Sequence, residues 1–376
     1  MKRVPVDTMF SYFGSIPDPR IDRTKRHSLK DIIVVAICSV ICGADGWVAV
    51  EEFGKSKIDW FRRFLDLPSG VPSHDTFGRV FSLLDSEKFM ECFAKWISDV
   101  ADLTSGEVIA VDGKTLRRSF DTGSSKSAIH MVSAWACENG LVLGQVKTEE
   151  KSNEITAIPK LLDGLEISGC IVTIDAMGCQ KKIAKKIVGK DGDYLFGLKG
   201  NQGVLNDEVR EFFRYAEHEQ FVGIPHDFHE TVDGEHGRIE TRRVWCTSDI
   251  DWFQDRHLWK GLGSFGMIES ERTVGDKTSV ERRYFISSLA GDDAERFGRA
   301  VRQHWQVENK LHWILDISFR EDDCRVRDGH AAENLAVLRH IALNLLKKEK
   351  STKLGVKNKR LKAGWDDDYR LKVLLA

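Results

Sequence analysis

Val108-Ile109-Ala110-Val111-Asp112-Gly113-Lys114 and Cys170-Ile171-Val172-Thr173-Ile174-Asp175-Ala176 share one pattern, an aliphatic, largely β-branched run closed by an aspartate. Runs of this kind read as buried strands. A carboxylate at the end of such a strand is pushed out at its tip, where open α/β sheets hold ligands and chemistry. One such aspartate is ordinarily a turn-starter or a helix N-cap. Two are more informative, because neighbouring strand ends can hold both carboxylates around a divalent metal.

A third acid is available in Arg302-Gln303-His304-Trp305-Gln306-Val307-Glu308-Asn309-Lys310-Leu311-His312-Trp313. Val301, Trp305, Leu311 and Leu315 make an apolar stripe at helical spacing, with Glu308 beside it. His304, Glu308 and His312 stand at i, i+4 and i+8 and are expected on one helix face. The two histidines are open to three readings: a metal-binding row, phosphate hydrogen bonds, or packing under the tryptophans. For Glu308, an acid among Trp305, Leu311 and Trp313, holding a cation is preferred over pairing with an arginine.

Working outward, residues 1 to about 100 read as helical, with segments Leu29 to Cys42, Val48 to Phe64, Ser73 to Leu84 and Glu87 to Val100. Ser73-His74-Asp75-Thr76 offers capping chemistry, and Pro68 and Pro72 break the chain before it. Helices joined by short turns suit a DNA-binding module or a plain packing domain alike. The polar stretch from Asp102 to Glu107 marks a boundary. Beyond it come strands Val108 to Val111, Ile129 to Cys137 and Leu141 to Lys147, the last two joined through the hairpin signal Glu138-Asn139-Gly140. A helix from Glu154 to Leu162 leads to the strand that ends in Asp175. Helix Gln180 to Val188, strand Tyr194 to Leu198 and helix Asn201 to Ala216 come next. The alternating stretch from about Phe228 to Leu289 reads as extra β-structure, with strands at Arg238 to Cys246, Met267 to Thr273 and Arg282 to Ser287. It is expected as an insertion of about residues 226–290 within the same domain as the Glu308 helix.

At 376 residues the chain is long enough for two or three domains with substantial cores. Met1-Lys2-Arg3-Val4-Pro5 is followed by no apolar leader region. The longest apolar stretch, Ile32 to Cys42, is too short to span a bilayer. The eight cysteines fall at 38, 42, 92, 137, 170, 179, 246 and 324 with no paired spacing. They read as reduced, buried groups of a cytoplasmic protein with no membrane partner.

A net charge of −2 argues against a protein devoted wholly to nucleic acid, but local asymmetry exists. Lys181, Lys182, Lys185, Lys186 and Lys190 crowd one helix directly after Asp175, and phosphate contact is the preferred reading there. Residues 347–376 form a basic C-terminal tail holding Lys347, Lys348, Lys350, Lys353, Lys357, Lys359, Arg360 and Lys362, read as a solvated face. Lys114, Lys199, Asn201 and Gln202 are candidates for phosphate or base contacts near the strand ends, with turn or cap roles as the alternative.

Taken in order, these pieces resemble bacterial insertion-sequence transposases of the DDE type, most closely the H-repeat-associated proteins. The resemblance begins at Ile16-Pro17-Asp18-Pro19-Arg20 and His27-Ser28-Leu29-Lys30-Asp31-Ile32. It continues through Val111-Asp112-Gly113-Lys114, Thr173-Ile174-Asp175-Ala176 and Leu198-Lys199-Gly200-Asn201-Gln202. It ends with His304-Trp305, Glu308-Asn309, His312-Trp313, Asp316, Phe319 and Glu321-Asp322, so that it covers nearly the whole chain. A lone Asp-Gly-Lys is unspecific, whereas the ordered set is specific.

The resemblance implies an α/β fold: a ribonuclease-H-like mixed-sheet catalytic core at residues 105–346 with the β-rich insertion, preceded by an all-α N-terminal domain at residues 1–104. In that fold the first and fourth strands are neighbours, which brings Asp112 and Asp175 together. It implies that Asp112, Asp175 and Glu308 bind two Mg²⁺ or Mn²⁺ ions, with Asp112 bridging both, and that double-stranded DNA, as element ends and as target, is the partner. A homodimer in the DNA complex is compatible with it. The implied reaction is phosphodiester hydrolysis followed by strand transfer. One departure stands out. Relatives often surround the final glutamate with a Tyr, an Arg and a Lys at fixed offsets, and here those offsets fall on Val301, His304 and Leu315. His304 is therefore expected to help hold the scissile phosphate or Glu308, without binding metal. Two alternatives remain: a nuclease of the same fold without strand transfer, and a catalytically silent or repurposed relative that binds DNA or a protein partner.

Overall fold

A computed structural model describes residues 11–120, 127–148, 154–235 and 237–376. The opening residues 1–5, in which no leader is read, lie outside them. From residue 29 the described chain is helical up to the sheet: α1 (Leu29–Ile41), α2 (Trp47–Ser56), α3 (Ile58–Phe61), α4 (His74–Leu83) and α5 (Ser86–Val100). Their starts owe much to capping, since Ser28 Oγ accepts from Asp31 N, Ser73 Oγ from Thr76 N, and Asp85 from Glu87 N and Lys88 N. The single helix expected over residues 48–64 is broken at Lys57, whose backbone leaves helical geometry (φ −117°, ψ 20°). The break lets Trp60, Phe61 and Phe64 pack edge-on against one another.

The sheet strands are β1 (Val108–Thr115), β2 (His130–Ala136), β3 (Leu141–Lys147), β4 (Ile171–Ile174), β5 (Asp193–Leu198), β6 (Asp227–Glu235), β7 (Arg238–Thr247), β8 (Ser264–Val274) and β9 (Lys277–Ser287). Between them lie α6 (Glu154–Asp163), α7 (Lys181–Val188) and α8 (Gly203–His218). Among the described residues all nine strands form one mixed sheet in the order β3-β2-β1-β4-β5-β9-β8-β7-β6. β1, β4 and β5 are mutually parallel neighbours, and the remaining pairings are antiparallel. The stretch read as extra β-structure is therefore joined edge to edge with the core strands, β9 pairing with β5 from Leu195↔Ser287 to Leu198↔Tyr284.

After β9 come α9 (Ala294–His304), a π turn (Glu308–His312), α10 (Trp313–Phe319), α11 (Ala331–Lys348), α12 (Val356–Trp365) and α13 (Asp367–Leu374). α11 is buried along almost its whole length and packs on α1, α4, α5 and β3. Two buried asparagines satisfy the backbone where it does so. Asn334 Nδ2 donates to Phe81 O and Leu84 O (2.8 Å each), and Asn344 bonds both the N–H and the C=O of Val142 (2.9 Å each). The second pair covers the open edge of the sheet at β3. Residues 347–376, expected as a basic tail, fold instead into α12 and α13. Lys359 Nζ donates to Leu346 O (2.9 Å) and Arg360 Nη2 to Val40 O (2.8 Å), so burial with carbonyl partners replaces solvation. All eight cysteines are free, and among the described residues no helix is long and apolar enough to cross a membrane.

Candidate active-site cleft

The strand carrying the first acid runs further than its sequence suggests. β1 stays paired with β2 as far as Thr115↔His130, so Asp112 lies within a strand and not at its tip. Its pairing with β4, however, ends at Val111↔Ile174, and the next residue on each strand is an aspartate. Asp112 and Asp175 thus hold the same register position on adjacent parallel strands, because both chains place the acid directly after the last paired aliphatic. Asp175 Oδ1 accepts from Met177 N (3.0 Å) and Gly178 N (3.4 Å), so the turn-cap role and an outward carboxylate coexist in one side chain.

Side-chain alternation then separates the faces of β1. Gly113 points toward α6, where any Cβ would run into Glu154 and into His130, which is bonded to Glu154 at 2.8 Å. Glycine lets the two side chains close over the strand, and a larger residue there would have to displace them. Asp112 points the opposite way, toward the π turn, and His312 Nδ1 stands 3.5 Å from Asp112 Oδ2. Asp112, Asp175 and Glu308 line one cleft of about 560 Å³, shared with Thr173, Lys199, Arg210, Arg283, His304 and Trp305. Burial, with Glu154, Asp175 and Glu308 nearby, pushes the Asp112 carboxyl up to about 6.

His304, Glu308 and His312 all turn toward the cleft strands, but not from one regular helix. α9 ends at His304, and the π turn over Glu308–His312 adds to the usual helical repeat, rotating the residues beyond it relative to those before it. His304 Nδ1 shares a 3.1 Å hydrogen bond with the Thr173 hydroxyl, whereas His312 lies by Asp112. Burial lowers both imidazoles, His312 to about 4 with the Lys114 charge adding to the effect, so both are neutral at physiological pH. His312 Nε2 is buried without a hydrogen-bond partner among the described residues.

Several expected phosphate contacts have other occupations. Lys114 Nζ is bonded to Asp316 and to Glu321 Oε2 (2.7 Å), with its side chain only 11% exposed. It shares the face of Asp112 and is drawn to the carboxylates beyond the π turn, not to solvent. Asn201 Nδ2 donates to Ala176 O and Gln202 Nε2 to Cys179 O, each at 2.7 Å. The two amides tie the loop after β5 to the turn after β4. Lys199, between them and the strand, is exposed at the cleft. Lys186 is paired with Asp163 at 2.5 Å, while Lys181, Lys182 and Lys185 are exposed. α7 packs on α6 and β5, and α6 covers the face opposite Asp112. The lysine helix is therefore not a wall of the cleft.

That placement gives a testable expectation. Neutralising Lys181, Lys182 and Lys185 together is expected to lower the log–log salt slope of duplex binding by less than about 0.9, the value of one phosphate contact. A fall of two or more in a titration series would make α7 a DNA-contacting face. Sequence reasoning missed Glu154, Arg210 and Arg283, which stand in no distinctive motif, and the role of Thr173, which stands in one. The alternation of β4 does carry a signal for Thr173, which precedes Asp175 by two residues on the same strand face.

Such an arrangement defines a mixed α/β protein with a cleft that gathers three carboxylates at the shared end of two parallel strands. Similarity to known proteins specifies it further. Residues 103–345 match the family described as "Transposase DDE domain", and residues 10–97 match the one described as "DDE_Tnp_1-associated". The chain belongs to the DDE transposase family. It is 44% identical over 371 residues to "H repeat-associated putative transposase YhhI" of Escherichia coli K12, covering 97% of each chain. It is also 44% identical over 373 residues to "Putative transposase YncI" of Escherichia coli O157:H7, covering 98% of this chain and 95% of that one. A piggyBac transposase in a synaptic complex with hairpin DNA superposes with a TM-score of 0.41 at 12% identity, over 99% of this chain and 78% of that chain.

Proposed function

We propose that the protein is a DNA transposase that hydrolyses phosphodiesters and transfers strands from a ribonuclease-H-like core, with Asp112, Asp175 and Glu308 as its catalytic carboxylates. The observation that carries this reading is the convergence of the three acids, from two strands and a facing helical turn, on one cleft. Helical N-terminal segments and the outer strands support transposition over plain nuclease activity through the family match alone.

The donor set suits Mg²⁺ or Mn²⁺, since it is all oxygen and hard cations prefer such ligands. Negative charge gathers around a half-buried Asp112, and the nearby ammonium of Lys114 is already held by Glu321 and Asp316. Among the described residues no three His, Cys, Asp or Glu side chains close round a single point, so the acids line walls and do not form a preformed cage. Bound divalent ions supply activation of the attacking oxygen and neutralisation of the leaving one. The chain's own part is positioning. β1 and β4 fix two carboxylates in register, and the π turn presents the third. Thr173 orients His304 beside Asp175. Lys199, Arg210 and Arg283 line the same cleft as cations for a polyanionic substrate. The eight free cysteines suit the reducing cytoplasm as its compartment.

The test is cleavage of end-labelled duplex carrying the inverted repeats that flank the reading frame, with Mg²⁺ or Mn²⁺ and with chelator. Cleavage with joining of the freed 3′ end to target DNA supports transposition. Cleavage without joining makes it a nuclease, and binding without cleavage makes it a silent relative. His304→Ala is expected to slow cleavage by roughly 10–100-fold with the metal concentration for half-maximal activity nearly unchanged. His304→Arg should retain more activity than Ala. Loss of metal response as complete as in Glu308→Gln would instead make His304 a ligand.

A further inference from the structure

A second trough of about 640 Å³ opens beside the cleft, walled on one side by β6–β9 and on the other by α9. Glu281, Arg283, Phe285, Val301 and Trp305 line both, so the trough is continuous with the catalytic cleft. Its cations are arginines. Arg302 bonds Asp233 (2.6 Å), Arg242 bonds Asp233 (2.9 Å) and Glu240 (2.5 Å), and Arg283 bonds Glu281 (2.8 Å). Arg238, Arg272 and Arg299 are exposed, with no ion-pair partner among the described residues. Arg238 and Arg272 share one sheet face, Arg238 in register with Glu235 and Val274 and Arg272 with Glu240 and Ser279 on the paired strands, and Arg299 faces them from the helix. Glu295 is the remaining acid of the lining.

We infer that this trough is the track for the sugar-phosphate backbone of the DNA that leaves the carboxylate cleft, an inference that rests on the proposed function. Three exposed guanidinium groups with no ion-pair partner among the described residues, on two facing walls, suit a polyanion, because each fork can hold a phosphate through two N–H donors. A concave site between protein walls also focuses their field. Continuity with the cleft selects the substrate's own strand as occupant, since Trp305 and Arg283 line both spaces and DNA held at Glu308 can run on between them into the trough. Arg242 and Arg302, already neutralised by Asp233 and Glu240 together, shape the trough without adding net attraction. A chain of net charge −2 can in this way hold DNA, its attraction being confined to one surface.

The full-length triple variant Arg238→Ser, Arg272→Ser, Arg299→Ser tests this, read by anisotropy of a fluorescein-labelled random-sequence duplex across a KCl series. The slope of log Kd against log salt should shrink by about 2–3, at about 0.9 for each phosphate no longer neutralised. The triple Arg→Lys variant should keep most of the slope and controls for folding. Wild-type and Ser variants with equal slopes overturn the trough while leaving the proposed function standing. A wild-type protein that binds no duplex overturns both. Labelled polyglutamate that binds the wild type but not the Ser variant, with duplex binding unchanged, overturns the inference in favour of an acidic peptide.

Discussion

Asp112→Asn, Asp175→Asn and Glu308→Gln are each expected to lower metal-dependent cleavage of a labelled duplex by at least about a thousandfold, since each keeps the side chain's shape and removes the charge that holds the cation. The fold should survive all three. Asp112 separates the two effects well: burial and three neighbouring acids already resist its charge, raising its folded-state pKa to about 6. A carboxyl with a raised folded-state pKa costs stability once the pH passes above it. Removing that charge should therefore raise the metal-free melting temperature at neutral pH while abolishing cleavage. Cleavage near the wild-type rate in any of the three would take that residue out of the site.

Lys114→Met should be the most destabilising single change near the cleft. Glu321 is buried to 2% side-chain exposure, and Lys114 provides its 2.7 Å charge partner. Removing one member of a buried pair leaves an uncompensated charge, typically about 3–5 kcal/mol. Arg339 Nη1 stands 3.5 Å from the other oxygen of Glu321, near enough to soften the loss but too far to replace the bond. The lower end, about 3 kcal/mol, is thus expected in urea unfolding. Adding Glu321→Gln should recover part of it. A loss below about 1 kcal/mol would mean that Lys114 is held no more firmly than a surface ion pair.

The parts of the site that are legible in the sequence are those written in local pattern. Val108–Val111 and Ile171–Ile174 are short, aliphatic and β-branched, and each announces a buried strand with an acid directly after it. Helix starts at Ser28, Ser73 and Asp85 are visible because a cap is a property of three or four consecutive residues. The illegible parts depend on partners far away in the chain. β1 runs on to Thr115 because β2 is there to pair with it, and Gly113 and Lys114 carry no strand signal of their own. The π turn at Glu308 keeps an ordinary helical composition, so the residue pattern predicts a regular helix where the backbone widens its repeat. Lys114 reads as a free cation until Asp316 and Glu321 are brought to it. In the basic run after Lys347, Lys350, Lys353 and Lys357 are exposed as read, whereas Lys359 and Arg360 read as solvated until Leu346, Glu349 and Val40 offer their carbonyls.

The burial of α1 also has a consequence in time. Its apolar residues from Ile32 to Ile41 are covered in part by α11, which lies some three-quarters of the chain's length further on. During synthesis at ~5–20 residues per second, α1 emerges roughly fifteen seconds to a minute before that cover exists. A nascent chain of this protein therefore carries an adhesive, uncovered helix through most of its own translation. Its yield in a cell depends on what shields that helix meanwhile.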